Sequence, residues 1–591
     1  TQSEFLMTYR WTFRSVDHPG TVAHLQEALN NLPEPLARTL ALRGISTLAE
    51  AKDFFRGTLD DLHDPFLMED MDRAADRLVQ AIETGESVLV YGDYDVDGTT
   101  ATTLMVQFLR TYGVDVSYFI PDRYTDGYGL CERGLDSAVE AGASLVVALD
   151  CGITAHAEAA YAHEQGLDLI ICDHHTPKET LPEAFAVLDP KRSDCAYPFT
   201  ELCGCGVGFK LVQATLDRLG ASPEDAFATL DLLAIATASD IVPLYGENRV
   251  LMEAGLDALQ QSDRPGLKAL AETADLDLHT VDSTGTIVFT LGPRINAAGR
   301  MEHARHAVDL LLAPDRETAL PLAQTLESLN RDRRTLNEEI LEDAIAQAER
   351  HITARTSHAL VLYDPDWHLG IIGIVASDIV ERFYKPTILL GHNGETVKGS
   401  ARSISGINIY EALTDCKDVL TQFGGHDYAA GMSLPEDQVE TLRDRFNEAV
   451  GTRVTPELLT PTKKIDARLD LRTVGSVRDR FWSVLKQFGP FGPSNPTPVF
   501  QASDLTVVGR PKTVGRSGSH LKFRVRPSDA RNGEAVFDVI GFGMGEKLSV
   551  LRKSQSEERP LELLFSLDEN TWQGRTTLQL RARDLRLQED A

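Results

Sequence analysis

Short apolar runs alternate with helical patterns between about residues 87 and 240. Residues 99–113 give one of the helical patterns. Apolar strands interleaved with helices predict a parallel sheet that is covered by helices on both faces. The predicted strands are 87–93, 114–122, 143–150, 167–173 and 184–189. Functional side chains collect beyond the carboxyl ends of such strands. The residues at those ends are Asp93, Asp122, Asp150, Asp173 and Asp189.

The remaining patterns divide the chain further. Strong helix formers fill 317–352 and predict one long connecting helix. A second, smaller α/β pattern follows, and short β-type runs after the proline-rich segment FGPFGPSNPTPVF (488–500) predict a small barrel. The predicted organisation is a mostly helical segment (1–80), a parallel-sheet α/β domain (81–316), the connecting helix (317–352), a smaller α/β domain (353–455) and the barrel (463–591).

Composition narrows the class of protein only slightly. The chain has 591 residues, a formal net charge of −31 and seven cysteines. That charge argues against a broad electrostatic grip on nucleic acid, although residues 501–591 hold 15 Lys and Arg against 13 Asp and Glu. The cysteines form neither a disulfide framework nor a zinc pattern. No apolar run is long enough for a membrane helix or a secretion signal, so we expect a cytoplasmic location.

The stretch YGDYDVDGTTAT (91–102) presents three alternating carboxylates, Asp93, Asp95 and Asp97. An EF-hand also needs an acidic ligand at its twelfth position, which is Leu104 here, so a calcium loop is excluded. We expect the carboxylates at a strand end, with Thr99 and Thr100 beginning a helix whose N-terminus favours phosphate. An acidic, solvated turn is the alternative.

Three further positions carry metal-capable side chains. Asp150 ends a core strand and is either a ligand or the cap of the next helix. Asp240 ends a long apolar helix, where a buried carboxylate needs a cation or a hydrogen-bond donor. Asp173, His174 and His175 follow one another at a strand tip, and neighbours on a strand point to opposite faces. The three side chains therefore cannot serve one ion in the same way.

These residues are expected to meet at one edge of the sheet. Carboxylates with one or two imidazoles suit Mn²⁺ or Mg²⁺ rather than structural zinc. Two such ions about 4 Å apart activate a water and stabilise both the entering and the leaving oxygen in phosphodiester hydrolysis. The sequence therefore predicts two divalent metal ions, Mn²⁺ or Mg²⁺.

With these motifs the chain resembles the DHH phosphoesterases and, among them, the RecJ family of bacterial single-strand 5′→3′ exonucleases. The resemblance rests on the carboxylate loop, the Asp-His-His tripeptide and TASDIVPL. Further segments extend it in order to the C-terminus: GPRINAAGRM (292–301), WHLGIIGIVAS (367–377), KGSARS (398–403), FGGHDYAAG (423–431) and PFGPSNPTPVF (490–500). It implies a DHH domain, a DHHA1 domain and an OB-fold.

The resemblance also implies roles at the metal centre. Asp95 and Asp97 bind one metal each, Asp150 bridges the two metals, and His174 and Asp240 complete the ligand set, with Asp93 close enough to contribute. His175 faces the scissile phosphate, and Asp173 orients the histidines. Tyr91 is a departure, because many relatives carry a metal-binding histidine at this position.

Contacts to the DNA are implied as well. Ser400 and Arg402 match residues that hold the terminal 5′-phosphate. Arg123 matches another phosphate contact, beside Tyr128, which matches a stacking residue. The glycine loop of Gly424, Gly425 and His426 can cradle a phosphate, and Arg294 and Asn296 are expected at the DNA backbone. In the barrel, Trp572 and Phe523 are candidates for stacking on bases, although a place in the core is the stronger interpretation for Phe523.

The function implied is a metal-dependent 5′→3′ exonuclease that degrades single-stranded DNA to 5′-mononucleotides in recombination and repair. A helicase and a single-strand-binding protein are the expected partners of a monomer. One alternative is a DHH phosphodiesterase of short oligonucleotides or cyclic dinucleotides, which needs no barrel. The other is a non-catalytic DHH scaffold, which the presence of all five metal-ligand candidates disfavours.

Overall fold

The computed structural model describes residues 9–354, 357–394, 396–475, 478–515, 518–530, 536–572 and 574–588. The chain forms two compact units. The first comprises the described residues of Thr1–Arg10, His63–Asp240 and Gly255–Pro461. The second comprises those of Trp11–Leu62, Ile241–Ala254 and Thr462–Ala591. No helix within these described residues has the length and apolarity needed to cross a bilayer.

The N-terminal segment contains one strand and three helices. They are β1 (Arg10–Phe13), α1 (Gly20–Ala28), α2 (Glu34–Ala41) and α3 (Leu48–Arg56). The sequence did not predict β1, which pairs with the distant strand Thr462–Ile465. A four-residue strand that is stabilised by a partner so far along the chain leaves no local periodicity to detect.

The parallel sheet predicted for the first α/β domain is confirmed. Its strands lie in the order β3-β2-β4-β5-β6, and every neighbouring pair is parallel. The elements are α4 (Met71–Thr84), β2 (Val88–Gly92), α5 (Val96–Thr111), β3 (Val116–Phe119), α6 (Glu132–Glu140), β4 (Leu145–Leu149), α7 (His156–Glu164), β5 (Asp168–Cys172) and β6 (Ala186–Leu188). All five residues of β2 and of β4 are buried, as continuous apolar strands require.

A group of helices follows the sheet. They are α8 (Gly204–Leu219), α9 (Glu224–Phe227), α10 (Leu230–Ser239), α11 (Gly246–Gln260), α12 (Pro265–Thr273), α13 (Thr284–Thr286), a π-helical turn (Ile287–Leu291), α14 (Gly292–Met301), α15 (Arg305–Leu311) and α16 (Arg316–Ala354). The predicted long helix is α16, which is 39 residues long.

The second α/β part of the first unit has a five-stranded sheet in the order β10-β11-β9-β8-β7. Its elements are β7 (Leu360–Tyr363), α17 (Leu369–Phe383), β8 (Thr387–Asn393), β9 (Thr396–Arg402), α18 (Ile409–Thr414), β10 (Gln422–Gly425), β11 (Ala429–Leu434) and α19 (Val439–Gly451). Only β7 and β8 are parallel, and the other pairs are antiparallel.

The C-terminal strands close into the predicted barrel. The elements are β12 (Thr462–Ile465), β13 (Ala467–Arg468), α20 (Arg480–Lys486), β14 (Phe500–Val507), β15 (Lys512–Val514), β16 (His520–Pro527), β17 (Phe537–Gly541), α21 (Leu548–Ser556), β18 (Leu561–Trp572) and β19 (Arg575–Leu587). The sheet runs β14-β18-β19-β17-β16, and an additional pairing of β14 with β16 closes it. Five strands closed in this order form an OB-fold.

The barrel and the N-terminal helices share one hydrophobic core. Leu25, Leu36 and Leu40 from α1 and α2 pack in the same cluster as Phe500 and Phe565 from the barrel strands. Phe523 is also in this cluster and 3% exposed, so the core interpretation of Phe523 is correct. The side chain of Trp572 lies outside the described part of the structure.

Candidate metal centre and phosphate-binding residues

The carboxylate loop lies where strand β2 gives way to helix α5. Asp95 caps the helix, because its Oδ1 accepts a hydrogen bond from the N–H of Gly98 at 3.1 Å. The helix therefore begins at Val96, and the prediction that Thr99 and Thr100 begin it was wrong. The hydroxyl of Thr99 instead donates to the carbonyl of Asp95, one turn back.

Asp97 lies in the first turn of α5 and is held by the N-terminus of α8. Its two carboxylate oxygens accept hydrogen bonds from the N–H groups of Gly204 at 2.6 Å and Cys205 at 2.8 Å. Burial and the charge of Asp95 raise the pKa of Asp97 to about 7, although these two N–H groups act in the opposite direction. The sequence did not single out Gly204 and Cys205; the glycines at 204, 206 and 208 were the available signal.

Asp150 follows β4 in a backbone conformation that few residues adopt. Its φ is +61°, in the left-handed region, and its side chain is buried. It does not cap α7, whose N-cap residue is Ala155. A Cβ at Gly204 would lie 2.5 Å from the Cβ of Asp150, so only glycine fits there. Burial and the surrounding carboxylates, Asp97 first, raise the pKa of Asp150 well above its usual value.

His174 brings the loop, Asp150 and the end of α10 together. Its Nε2 lies 3.2 Å from Oδ1 of Asp150, 3.6 Å from Oδ2 of Asp240 and 3.9 Å from Oδ2 of Asp97. Burial and the neighbouring His175 lower the pKa of His174 to about 3, so the ring is neutral and can donate a lone pair to a cation. Burial and the charge of Asp97 raise the pKa of Asp240 to about 9.

These donor atoms lack the partners that buried polar groups require. Oδ1 of Asp93, Oδ1 of Asp150, Nε2 of His174 and Oδ2 of Asp240 are buried without a hydrogen-bond partner among the described residues. Three sets of three side chains bring potential ligand atoms within 4.8 Å of one another: Asp93, Asp95 and Asp150; Asp97, His174 and Asp240; Asp150, His174 and His175. Clustered, buried carboxylates repel each other unless cations neutralise them, so this donor set fits divalent ions that prefer oxygen.

Asp173 and His175 form a hydrogen-bonded pair, and His175 also lies beside Asp150 and His174 of the cluster. Asp173 accepts hydrogen bonds from the N–H of Ile153 and from Nδ1 of His175, at 2.9 and 2.7 Å. Burial alone lowers the pKa of His175, but the hydrogen bond and charge of Asp173 outweigh it and raise the pKa to about 9. The His175 side chain is 47% exposed, and the hydroxyl of Tyr128 lies 3.3 Å from its Nε2. The hydrogen bond to Asp173 therefore holds a partly exposed imidazole with a raised pKa at the surface of the site.

Tyr91, the departure from the family pattern, points away from the metal candidates. Its ring is fully buried in the core of the first sheet, and its hydroxyl donates to the carbonyl of Gly129 at 2.8 Å. Tyr91 belongs to none of the three donor sets, whereas Asp93 belongs to one.

The predicted phosphate residues of the second sheet lie on neighbouring strands. Gly424 on β10 pairs with Gly431 on β11, and Gly431 pairs with Ser400 on β9. A Cβ at Gly424 would meet no atom within 4 Å, and one at Gly431, the direct neighbour of Ser400, would meet none closer than 4.0 Å, so the surface beside Ser400 is open. Nη1 of Arg402 donates to Oγ of Ser400 at 2.9 Å. Gly425 and His426 continue the exposed loop at the end of β10.

The other residues predicted to contact DNA lie in different surroundings. The guanidinium of Arg123 lies 4.0 Å from the ring centroid of Tyr94, next to the carboxylate loop, and its Nε is buried without a hydrogen-bond partner among the described residues. Arg294 is 6% exposed and is engaged by the protein, because its Nε donates to Glu327 at 2.6 Å. Asn296 is half-buried on α14. The structure thus brings Arg123 to the site and uses Arg294 in an internal ion pair.

Comparisons with known proteins match the same three parts of the chain. The DHH family N-terminal domain matches residues 87–237, the DHHA1 domain 356–452 and the RecJ OB domain 465–584. The single-stranded-DNA-specific exonuclease RecJ of Bacillus subtilis is 38% identical over 584 residues, which cover 98% of this chain and 71% of that protein.

Solved structures agree. RecJ from Thermus thermophilus in complex with Mn²⁺ has a TM-score of 0.80 at 29% identity, over 98% of this chain and 80% of that one. The structure of the same protein with Mg²⁺ has a TM-score of 0.76 at 28% identity, over 98% and 79% of the two chains.

Proposed function

This chain belongs to the RecJ family of single-stranded-DNA-specific exonucleases, and we propose that it removes 5′-mononucleotides from the 5′ end of single-stranded DNA. The exonuclease activity is metal-dependent. The observation that carries the proposal is the set of buried donor atoms without partners around Asp150, in the same unit as the open surface beside Ser400 and Arg402.

Two divalent ions, Mn²⁺ or Mg²⁺, fit the set of Asp93, Asp95 and Asp150 and the set of Asp97, His174 and Asp240. We assign Asp93 and Asp95 to one ion, Asp97, His174 and Asp240 to the other, and Asp150 to both. Bound there, the ions supply an activated water and neutralise charge on the phosphate. Because Asp93 stands in the donor set that lacks a histidine, it takes the place that Tyr91 leaves.

The remaining residues act on the substrate directly. His175 holds a proton on Nε2 and faces solvent, so it can donate a hydrogen bond to an oxygen of the scissile phosphate. Asp173 fixes the orientation of this imidazole through Nδ1. Tyr128 lies beside His175 with an exposed ring, which suits stacking on the terminal base.

The surroundings of Arg402 support the proposed polarity of degradation. Nη2 of Arg402 and Oγ of Ser400 each lie 3.0 Å from the Cβ position of Gly373 on α17, so the pocket is closed on that side. Its open side is lined by the glycines of β10 and β11, which let a phosphate approach the backbone. A terminal 5′-phosphate held there leaves the following phosphodiester for the metal centre.

Replacement of Arg402 by alanine is expected to reduce the preference for a 5′-phosphorylated over a 5′-hydroxyl end about tenfold or more, because a charge-assisted hydrogen bond is lost. The measurement is kcat/KM on both ends. The control is Arg382→Ala, on the exposed side of α17, the helix that closes the pocket. This variant should retain the preference. An unchanged preference in Arg402→Ala would place the 5′-phosphate elsewhere.

The barrel offers a basic face for the rest of the strand. Lys522 on β16 and Arg581 on β19 lie in one row across the sheet, through Ile540. Phe542 is 52% exposed, and the guanidinium of Arg581 lies 5.0 Å from its ring centroid. Basic side chains with an exposed aromatic ring on this face suit binding of a single strand.

Replacement of Arg581 by alanine is expected to raise KM for long single strands and to reduce the salt dependence of binding by about one counterion, with kcat unchanged. Steady-state kinetics and a salt titration of binding measure both. Arg552→Ala on α21 is the charge-matched control. Point variants serve better than truncation of residues 465–591, because α1 and α2 would lose the core that they share with the barrel. A fall in kcat without a change in KM would contradict the assignment.

Degradation of single strands labelled at either end, with Mn²⁺ and with product analysis, tests the proposed polarity. Release of mononucleotides from the 5′ end supports it, and release from the 3′ end contradicts it. A phosphodiesterase of short oligonucleotides or cyclic dinucleotides would cleave those substrates and leave long strands intact. A non-catalytic scaffold would bind strands without cleaving them.

We also propose the cellular setting that the family implies, which is recombination and repair. A helicase would supply single strands and a single-strand-binding protein would coat them, while the exonuclease itself acts as a monomer. Sedimentation of the purified protein tests its oligomeric state, and stimulation of degradation by a helicase on duplex DNA tests the partnership.

A further inference from the structure

Phe289 is the most exposed large hydrophobic side chain in the described part of the chain. It is 78% exposed, and water covers most of its ring. An isolated exposed apolar residue is common and by itself indicates nothing. The conformation and position of Phe289 distinguish it.

The residue lies in a π-helical turn, Ile287–Leu291. Such turns are rare and occur frequently at functional sites. Ile287 and Leu291 are both fully buried at the two ends of the turn, and Phe289 lies midway between them on the opposite side. The turn therefore fixes the backbone in the core and directs the aromatic ring into solvent.

The π-helical turn and α14 together border the metal centre. A Cβ at Gly292 would lie 2.9 Å from Oγ of Ser239, the residue before Asp240. A Cβ at Gly299 would lie 2.6 Å from the carbonyl oxygen of Tyr94, between Asp93 and Asp95. This helical segment thus runs from the Asp240 side of the donor cluster to its Asp95 side.

The far end of this segment is connected to the phosphate pocket. Nη1 of Arg300 donates to the carbonyl of Gly370 at 3.1 Å, at the start of α17. One turn further along α17, Gly373 lies against Ser400 and Arg402. From the Arg300 end to the Phe289 end, the segment therefore passes first the pocket at Ser400 and Arg402, then the carboxylate loop, and then Asp240.

Phe289 lies 11 residues before Arg300, which corresponds to roughly 16 Å along a helix. A strand whose 5′-phosphate occupies the pocket passes the metal centre and continues in the direction of Phe289. At about 3.4 Å per stacked nucleotide, that distance exceeds one nucleotide. The base that reaches Phe289 therefore belongs to the part of the strand that stays after cleavage.

We propose that Phe289 stacks on a base of this retained strand, on the 3′ side of the scissile phosphate. The proposal rests on the 5′→3′ polarity given above. Stacking on an aromatic ring tolerates every base, which suits an enzyme that advances along arbitrary sequences. Phe289 thereby holds the substrate between successive cleavages, and very short substrates do not benefit from it.

The test compares Phe289→Ala and Phe289→Trp with the parent on a 5′-phosphorylated dinucleotide and on a long single strand. Phe289→Ala should raise KM for the long strand about five- to 150-fold, with kcat within about twofold and with unchanged kinetics on the dinucleotide. Phe289→Trp keeps an aromatic ring at this position, so its KM for the long strand should be close to that of the parent. Val139→Ala, an exposed apolar residue on α6, is the matched control and should behave like the parent.

A scan of single abasic positions along the long strand adds a readout that a purely structural role would not change. In the parent, an abasic site at one position on the 3′ side of the scissile phosphate should raise KM. In Phe289→Ala, an abasic site at the same position should have no further effect on KM. A flat scan in the parent, an unchanged long-strand KM in Phe289→Ala, or an equal loss on the dinucleotide would each overturn the proposal. If the parent itself degrades from the 3′ end, the proposed polarity fails first, and the two failures are distinguishable.

Discussion

Replacement of Asp150 by alanine is expected to abolish Mn²⁺-dependent degradation of single-stranded DNA while leaving strand binding largely intact. Asp150 is the only carboxylate that lies both in a donor set with Asp93 and Asp95 and within 3.2 Å of His174 among the described residues. Loss of the shared ligand removes several kcal/mol of charge stabilisation, so kcat should fall at least about 10³-fold. Single-turnover degradation of a labelled strand measures the loss.

Thermal unfolding supplies a second readout for this variant. The pKa of Asp150 is raised by burial and by neighbouring carboxylates, so its ionised form destabilises the metal-free fold at neutral pH. Metal-free Asp150→Ala should therefore unfold at a higher temperature than the metal-free parent, and Mn²⁺ should stabilise it less than the parent. Asp136→Asn, an exposed carboxylate on α6, controls for the change in net charge. Substantial residual turnover in Asp150→Ala would rule out the shared-ligand role.

Replacement of His175 by alanine is expected to lower kcat by about 10²- to 10⁴-fold, with Mn²⁺ affinity close to that of the parent. The side chain of His175 is 47% exposed and hydrogen-bonded to Asp173, whereas that of His174 is buried against Asp150. The loss should therefore appear in the chemical step. Single-turnover rates and a Mn²⁺ titration by calorimetry separate the two quantities.

Two further variants interpret the result for His175. His163→Ala on the exposed side of α7 should behave like the parent and controls for the loss of an imidazole. Asp173→Asn should give a smaller fall in kcat than His175→Ala, because the imidazole remains but its orientation and charge are less well supported. A large fall in Mn²⁺ affinity in His175→Ala would make His175 a metal ligand instead.

The sheet was predictable because its strands are buried on both faces. Strands β2, β4 and β5 read as continuous apolar runs, and the parallel order places Asp93, Asp150 and Asp173 at one edge without any knowledge of distant contacts. That placement made these carboxylates candidates for a metal site. The assignment of ligand roles, including those of His174 and Asp240, came from the resemblance to the family.

Features that depend on distant contacts were missed. The N–H groups of Gly204 and Cys205 hold Asp97 from more than 100 residues away, and the glycines at 204, 206 and 208 were only an indirect signal of these backbone donors. The expectation for Arg294 shows the same limit, since arginine suits a phosphate or a carboxylate equally and only the fold reveals Glu327 beside it. The predicted start of α5 at Thr99 was too late, because Asp95 was interpreted only as a site residue and not also as the N-cap of the helix.

The core shared by the barrel and the N-terminal helices has a consequence for synthesis on the ribosome. Residues 11–62 are synthesised well before their partners in this core, which begin at Ala467, about 400 residues later. At a translation rate of about 5–20 residues per second, the apolar faces of α1 and α2 remain uncovered for roughly 20–80 s before the barrel can pack against them. Until then these apolar faces are of the kind that chaperones recognise, and the second unit can fold only after its barrel residues have been synthesised.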